Sequence, residues 1–98
     1  MAIYVTSDAH GHVRALDEAL SKISLTSDDT LYVLGDMIDR GPDPVGVIKL
    51  VRSLPNARVL KGNHEQIMLD AIIGQDPLDA ETWDINGGWT TREQLNDM

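Results

Sequence analysis

Short apolar runs alternate along this chain with longer stretches of helical spacing. Ile3-Tyr4-Val5, Leu31-Tyr32-Val33-Leu34 and Ala57 to Lys61 read as strands. They are short and apolar enough to suit a buried parallel sheet. From His12 to about Ser24, Val13, Leu16, Leu20 and Ile23 recur at spacings of three and four, while Arg14, Asp17, Glu18 and Lys22 fall mostly opposite. That is one apolar face of an amphipathic helix. Asp43-Pro44 opens a second helix, because Asp can cap and Pro at the first helical position has no N–H to waste. Val45, Ile48 and Val51 continue its period and Pro55 stops it. A third helix, from about His64 to Ile73, is expected to carry Ile67, Met68, Ala71 and Ile72 inward and to end at Gly74.

Three βα units in succession predict an α/β fold with parallel strands and flanking helices. From Gln75 onward the pattern weakens. Asp76-Pro77 marks a turn or a helix start, and Trp83 and Ile85 are expected to pack back on the sheet. Trp83 and Trp89 both read as packing residues. Thr90 or Thr91 is expected to cap a last short helix, with Glu93 or Gln94 completing a capping box.

Each strand runs into a short polar motif. These are Asp8-Ala9-His10-Gly11, Gly35-Asp36-Met37-Ile38-Asp39-Arg40-Gly41 and Gly62-Asn63-His64-Glu65. The order delivers Asp, His, Asp and Asn side chains to one end of three strands, where ligands bind in open α/β sheets. Asp8 and His10, two apart, can reach one metal if their loop stays extended. Asp36 can bridge two metals with its two oxygens, and Gly35 lets the backbone come close. Asn63 offers a neutral amide oxygen or a helix cap. Each piece alone has a plainer reading as a turn Asp, a cap or a surface His; the trio in order is what makes metal ligation the stronger one. Two metals held side by side can clamp the attacking and leaving oxygens of a phosphate ester.

The trio resembles the phosphoprotein phosphatase family of calcineurin-like dinuclear metallophosphoesterases, whose pattern runs GDxHG, GDxxDRG, GNHE. The bacterial serine/threonine phosphatases and symmetrical diadenosine tetraphosphatases are the nearest branch. Ser7 stands where the family usually has Gly, and Lys61 where many members have Arg. The resemblance covers about the first three quarters of the chain, and Asn86-Gly87-Gly88 with Thr90 and Thr91 extends it more weakly. It implies that Asp8, His10, Asp36 and Asn63 hold two divalent metal ions, Mn²⁺ foremost with Fe or Zn as alternatives. It also implies that Arg40 clamps phosphate oxygens and that His64, oriented by Asp39, protonates the leaving oxygen while a metal-bridging hydroxide attacks. The substrate would be a phosphorylated protein or a dinucleoside polyphosphate. Glu65 is expected to support the loop by hydrogen bonding, and His12 to lie on the surface.

Family members are longer and contribute two more metal-binding histidines from a second half. Here all three histidines, His10, His12 and His64, precede Glu65. Residues 1–98 therefore resemble one partial domain, the N-terminal βαβαβα half of a layered α/β sandwich. The alternative is a catalytically incomplete metal-binding fragment. In the family a second sheet packs on the first, so an uncovered sheet face and self-association are expected.

The net charge of −8 removes the basic footprint expected of a nucleic-acid binder. It leaves an anionic substrate open, since bound metals would invert the local charge. With no cysteine there is no disulfide framework and no thiolate metal site. No basic segment leads into a long apolar one, and no apolar run approaches spanning length. The expectation is a cytoplasmic protein without a membrane partner.

Overall fold

The computed structural model describes residues 1–74 and 76–98. Three strands, β1 (Ile3–Thr6), β2 (Thr30–Val33) and β3 (Ala57–Val59), alternate with α1 (Val13–Ser21) and α2 (Pro44–Arg52). Helices α3 (Asn63–Ile73), α4 (Pro77–Ile85) and α5 (Trp89–Asn96) follow. The sheet has the order β1-β2-β3 and is parallel throughout, with Tyr4 opposite Leu31 and Leu31 opposite Ala57. The chain is thus an α/β fold, as its three βα units predict.

Leu16 of α1 and Val47 and Val51 of α2 close over Leu31 and Val33 of the central strand. Tyr4, Val13, Leu20, Leu50 and Ala57 pack around this centre. Helix α2 starts as expected, with the Asp43 carboxylate accepting from Gly46 N–H at 2.9 Å and Pro44 in the first turn. Helix α4 starts the same way, with Asp76 accepting from Leu78 N–H and Pro77 following. Helix α1 stops three residues earlier than its apolar period suggests, because Ile23 N–H turns back to Leu20 O at 3.3 Å and tightens the last turn.

Both α1 and α2 lie on one face of the sheet. Register puts Ile3, Val5 and Tyr32 on the other, where Ile3 is 63% and Val5 61% exposed. Leu34 and Leu60, which extend β2 and β3 on that side, are exposed too. A parallel sheet is normally covered on both faces. The expected uncovered face is therefore present in the described residues. The molecule is also elongated, at 46 × 20 × 20 Å, since α3 packs on α4 rather than across that face.

The last third departs from expectation in several places. Ile72 is exposed because α3 turns that side to solvent, and Ile85 is exposed at the end of α4. Trp89 is half exposed at the start of α5, so of the two tryptophans Trp83 alone packs inward. Neither Thr90 nor Thr91 caps α5; Gly88 takes the cap position and both threonines are buried within the helix.

Asp29 ties the far end of the sheet together. Its carboxylate accepts from Ala2 N–H at 2.8 Å and Thr26 N–H at 2.9 Å. Asn56 donates to the Thr26 and Asp29 carbonyls, joining the residue just before β3 to the same turn. The Thr26 and Ala2 N–H groups hold the Asp29 carboxyl below the ordinary carboxylate range. A depressed folded value means the contact stabilises fully above the unfolded pKa, near 4, and is lost as pH falls through the folded value. Urea midpoints measured from neutral pH down through this range should show a shallower acid decline for Asp29→Asn than for wild type. Parallel pH curves for the two proteins would contradict this role.

Candidate active site

The three motif loops meet at the C-terminal ends of the strands, and the first two hold one another by their backbones. His10 N–H donates to Asp36 O at 3.0 Å, Gly11 N–H to Met37 O at 2.9 Å, and Asp43 N–H to Gly11 O at 2.9 Å. The first loop is therefore not extended, contrary to the expectation from its spacing. Asp8 (φ 59°) and His10 (φ 43°) are left-handed, and the curled backbone still brings Asp8 Oδ1 within 3.5 Å of His10 Nε2. Asp36, Asp39 and Arg40 are left-handed as well. Among the described residues, every non-glycine residue with positive φ lies in these motifs, and such strain collects where function holds it in place.

Glu65 joins the second and third loops. Its Oε1 accepts from Asp36 N–H at 2.6 Å and Gly62 N–H at 2.9 Å, and its Oε2 from Met37 N–H at 2.9 Å. This matches the loop-supporting role read from the motif. The second and third loops touch closely enough that only glycine fits at two points between them. A Cβ on Gly35 would sit 2.2 Å from Gly62 N, and one on Gly62 2.6 Å from Asp36 N.

Asp8, His10 and Asp36 each present one ligand atom, all within 4.8 Å of one another. His10 Nδ1 lies 2.8 Å from the Ile38 carbonyl, which can only accept, so Nδ1 carries the proton and Nε2 offers its lone pair toward Asp8. Metal-binding histidines are oriented in this way by a backbone carbonyl. Two carboxylates and a free imidazole nitrogen form a donor set suited to a divalent cation such as Mn²⁺, Fe²⁺ or Zn²⁺. The Ser7 hydroxyl, donating to Asp8 at 2.7 Å, holds the Asp8 carboxyl below its ordinary value against the opposing effect of desolvation. Asn63 is the first residue of α3 and exposed; Gly62, not Asn63, holds the cap position. The next N–H, that of His64, donates to Asp36 Oδ1 at 2.9 Å, so Asn63 borders the Asp36 carboxylate.

His64 Nδ1 pairs with Asp39 Oδ2 at 2.8 Å, with the carboxylate fully buried. The His64 ring stands edge-on to the His10 ring, centroids 4.6 Å apart. Arg40 is exposed beside this pair, its N–H bound to Gly87 O at 2.9 Å and its Nε directed at Asn86 O at 3.4 Å. His12 lies on the surface, as expected. Two residues not assigned a site role from the sequence reach the pair: Trp83 Nε1 donates to Asp39 Oδ1 at 3.0 Å and Thr91 Oγ1 at 2.8 Å. They lie 44 and 52 residues from Asp39, and no local spacing announces them.

The calcineurin-like phosphoesterase family model matches residues 1–97. The chain belongs to the calcineurin-like phosphoesterase family. Its relatives carry two names. The symmetrical bis(5'-nucleosyl)-tetraphosphatase of Pectobacterium carotovorum is 38% identical over 76% of this chain and 27% of its own length. Serine/threonine-protein phosphatase 1 of Salmonella typhimurium is 38% identical over 92% of this chain and 41% of its own. The crystal structure of a candidate diadenosine tetraphosphatase superposes with a TM-score of 0.59 at 33% identity, over 80% of this chain and 36% of that one. The chain thus spans about a quarter to two fifths of the length of these relatives.

Membership implies divalent metal ions, and the motif loops hold the donor cluster suited to them. No helix among the described residues is long and apolar enough to cross a membrane. Within this phosphoesterase frame Glu65 carries the loop assembly. Glu65→Ala should lower the urea-derived stability by about 3 kcal/mol, since three backbone donors lose their acceptor at roughly 1 kcal/mol or more each. A loss under about 1 kcal/mol would show that the loops stand without it.

Proposed function

We propose that this chain hydrolyses phosphate esters with divalent metals held by Asp8, His10, Asp36 and Asn63. The observation that carries the reading is the cluster of Asp8, His10 and Asp36 within 4.8 Å, with His10 Nε2 freed by the Ile38 carbonyl. When bound, such ions supply Lewis acidity and an activated water for in-line attack on phosphorus. Arg40 clamps the phosphate oxygens through its planar fork. His64, as an imidazolium whose Nδ1–H is held by Asp39, donates its Nε2 proton to the leaving oxygen and is left as the Nδ1–H tautomer. Mn²⁺ is the favoured metal, with Fe and Zn as alternatives, and the cytoplasm the favoured compartment.

The favoured substrate is phosphoserine or phosphothreonine in protein. The relative named as a serine/threonine phosphatase supports this, because its likeness runs over 92% of the chain. A dinucleoside tetraphosphate is the second reading, supported by the relatives of that name and by the structural neighbour. Residues 1–98 act in this reading as one metallophosphoesterase unit, and self-association would cover Ile3, Val5 and Leu60.

Mn²⁺-dependent release of nitrophenol from p-nitrophenyl phosphate tests the chemistry, beside Asp36→Asn and a chelator control. Turnover should vanish with chelator and fall by about a hundredfold or more in Asp36→Asn. Parallel assays on a phosphoserine peptide and diadenosine tetraphosphate then separate the two substrates. Calorimetric Mn²⁺ binding without any turnover would leave this chain a metal-binding fragment and sink the claim of hydrolysis.

A further inference from the structure

Asp39 is the most completely enclosed carboxylate of the site, and its partners come from the far end of the chain. Its exposure is 0%, and three donors converge on it: His64 Nδ1 on Oδ2, and Trp83 Nε1 and Thr91 Oγ1 on Oδ1. Thr91 Oγ1 also accepts from Asp39 N–H at 2.9 Å, so one hydroxyl grips both the backbone and the side chain of the same residue. The next residue is gripped by the turn between α4 and α5, where Gly87 O accepts from Arg40 N–H. That turn fits against Arg40 so closely that a Cβ on Gly87, itself at φ +90°, would meet Arg40 Cγ at 2.6 Å. Asp39 and Arg40 are two consecutive left-handed residues without glycine, at φ 73° and 69°. A backbone of that kind persists only when its surroundings over-determine it. Here the surroundings are α4, α5 and the turn between them.

We propose that Trp83 and Thr91 are positioning residues. They lock the Asp39 carboxylate in one rotamer so that it fixes His64 as the Nδ1–H tautomer, with Nε2 left free beside His10. The catalytic meaning of this rests on the reading of His64 as proton donor given above; the positioning itself does not. Without the two donors, Oδ1 would be a buried acceptor with no partner, and the carboxylate would rotate or draw in water to satisfy it. The His64 ring would then lose its single fixed acceptor and sample both tautomers. Tryptophan suits the task because its indole fills the space beneath the loop and offers one donor and no acceptor. Threonine suits it because one hydroxyl donates and accepts at once.

The test reads the His64 ring directly. Long-range proton–nitrogen NMR on the 98-residue chain, above the imidazole titration range and without metal, reports the tautomer and the exchange of the Nδ1 proton. Wild type should show one Nδ1–H tautomer with a slowly exchanging proton. Trp83→Phe and Thr91→Val should show mixed tautomers and exchange faster by about tenfold or more, while Thr91→Ser restores the wild-type signature. Val47→Ala, a cavity in the helix–sheet core, should lower stability and leave the tautomer alone. If Thr91→Val does not fold, Trp83→Phe and Thr91→Ser decide the matter. Folded Trp83→Phe with wild-type tautomer and exchange rate would overturn the proposal. Where the wild type turns over phosphate ester, kcat should fall about tenfold or more in these variants with KM little changed. A wild-type chain with the fixed tautomer and no turnover would sink the hydrolysis reading and leave the positioning in place.

Discussion

One carboxylate holds the second and third motifs in register. Glu65 lies in the first turn of α3, yet it accepts from two N–H groups of the Asp36 loop and one from the residue that caps its own helix. A charged acceptor serving several backbone donors is about twice as strong per bond as a neutral one. It also sits where the helix dipole favours negative charge. Strands alone could not fix the relative height of the loops, because β3 is three residues long. The Glu65 contacts do this at the sheet's end, and the two close glycines, Gly35 and Gly62, are the steric condition for them.

That assembly has to hold a backbone that would otherwise relax. Asp8, His10, Asp36, Asp39 and Arg40 are left-handed, each at a cost of roughly 1 kcal/mol or more. Together they amount to a large share of the ~5–15 kcal/mol that stabilises a small domain. The offsetting contacts are distributed by loop. Asp8 and His10 are held by N–H bonds to the carbonyls of Gly35 and Asp36, Asp36 by Glu65, and Asp39 and Arg40 by Thr91 and Gly87. The catalytic reading and the stability of the chain are therefore not separable at these positions. What curls the loop is also what turns the side chains toward one point.

Much of this was legible in the sequence, and the remainder fails for identifiable reasons. The strands and the Asp43-Pro44 helix start are local signals, set by residues within a few positions of one another. The Asp39–His64 pair was legible only through the motif pattern, because its members are 25 residues apart. The curl of the first loop was missed because Asp and His tolerate positive φ and nothing in Asp-x-His distinguishes a curled loop from an extended one. Thr90 and Thr91 carry a capping signal that tertiary structure overrides: burying Thr91 on Asp39 satisfies more polar atoms than capping α5 would. Ile85 and Trp83 sit two apart on one helix, and their opposite fates follow from which side of α4 faces the motif loop.

The site contains two kinds of carboxylate, and the difference bears on how each would act. The Asp8 side chain is 64% exposed and shares its surroundings with Asp36 and His10, with no lysine or arginine interposed among the three ligand atoms. Like charges this close are unfavourable until a cation enters between them. The Asp39 carboxylate is the reverse case. Its two oxygens already accept three bonds from His64, Trp83 and Thr91, and no open side remains for a metal. A carboxylate saturated by neutral donors can orient an imidazole without competing for the ions nearby. The two environments lie three residues apart in the chain, at Asp36 and Asp39, and under the proposed function that separation would let one short loop serve metal binding and proton delivery together.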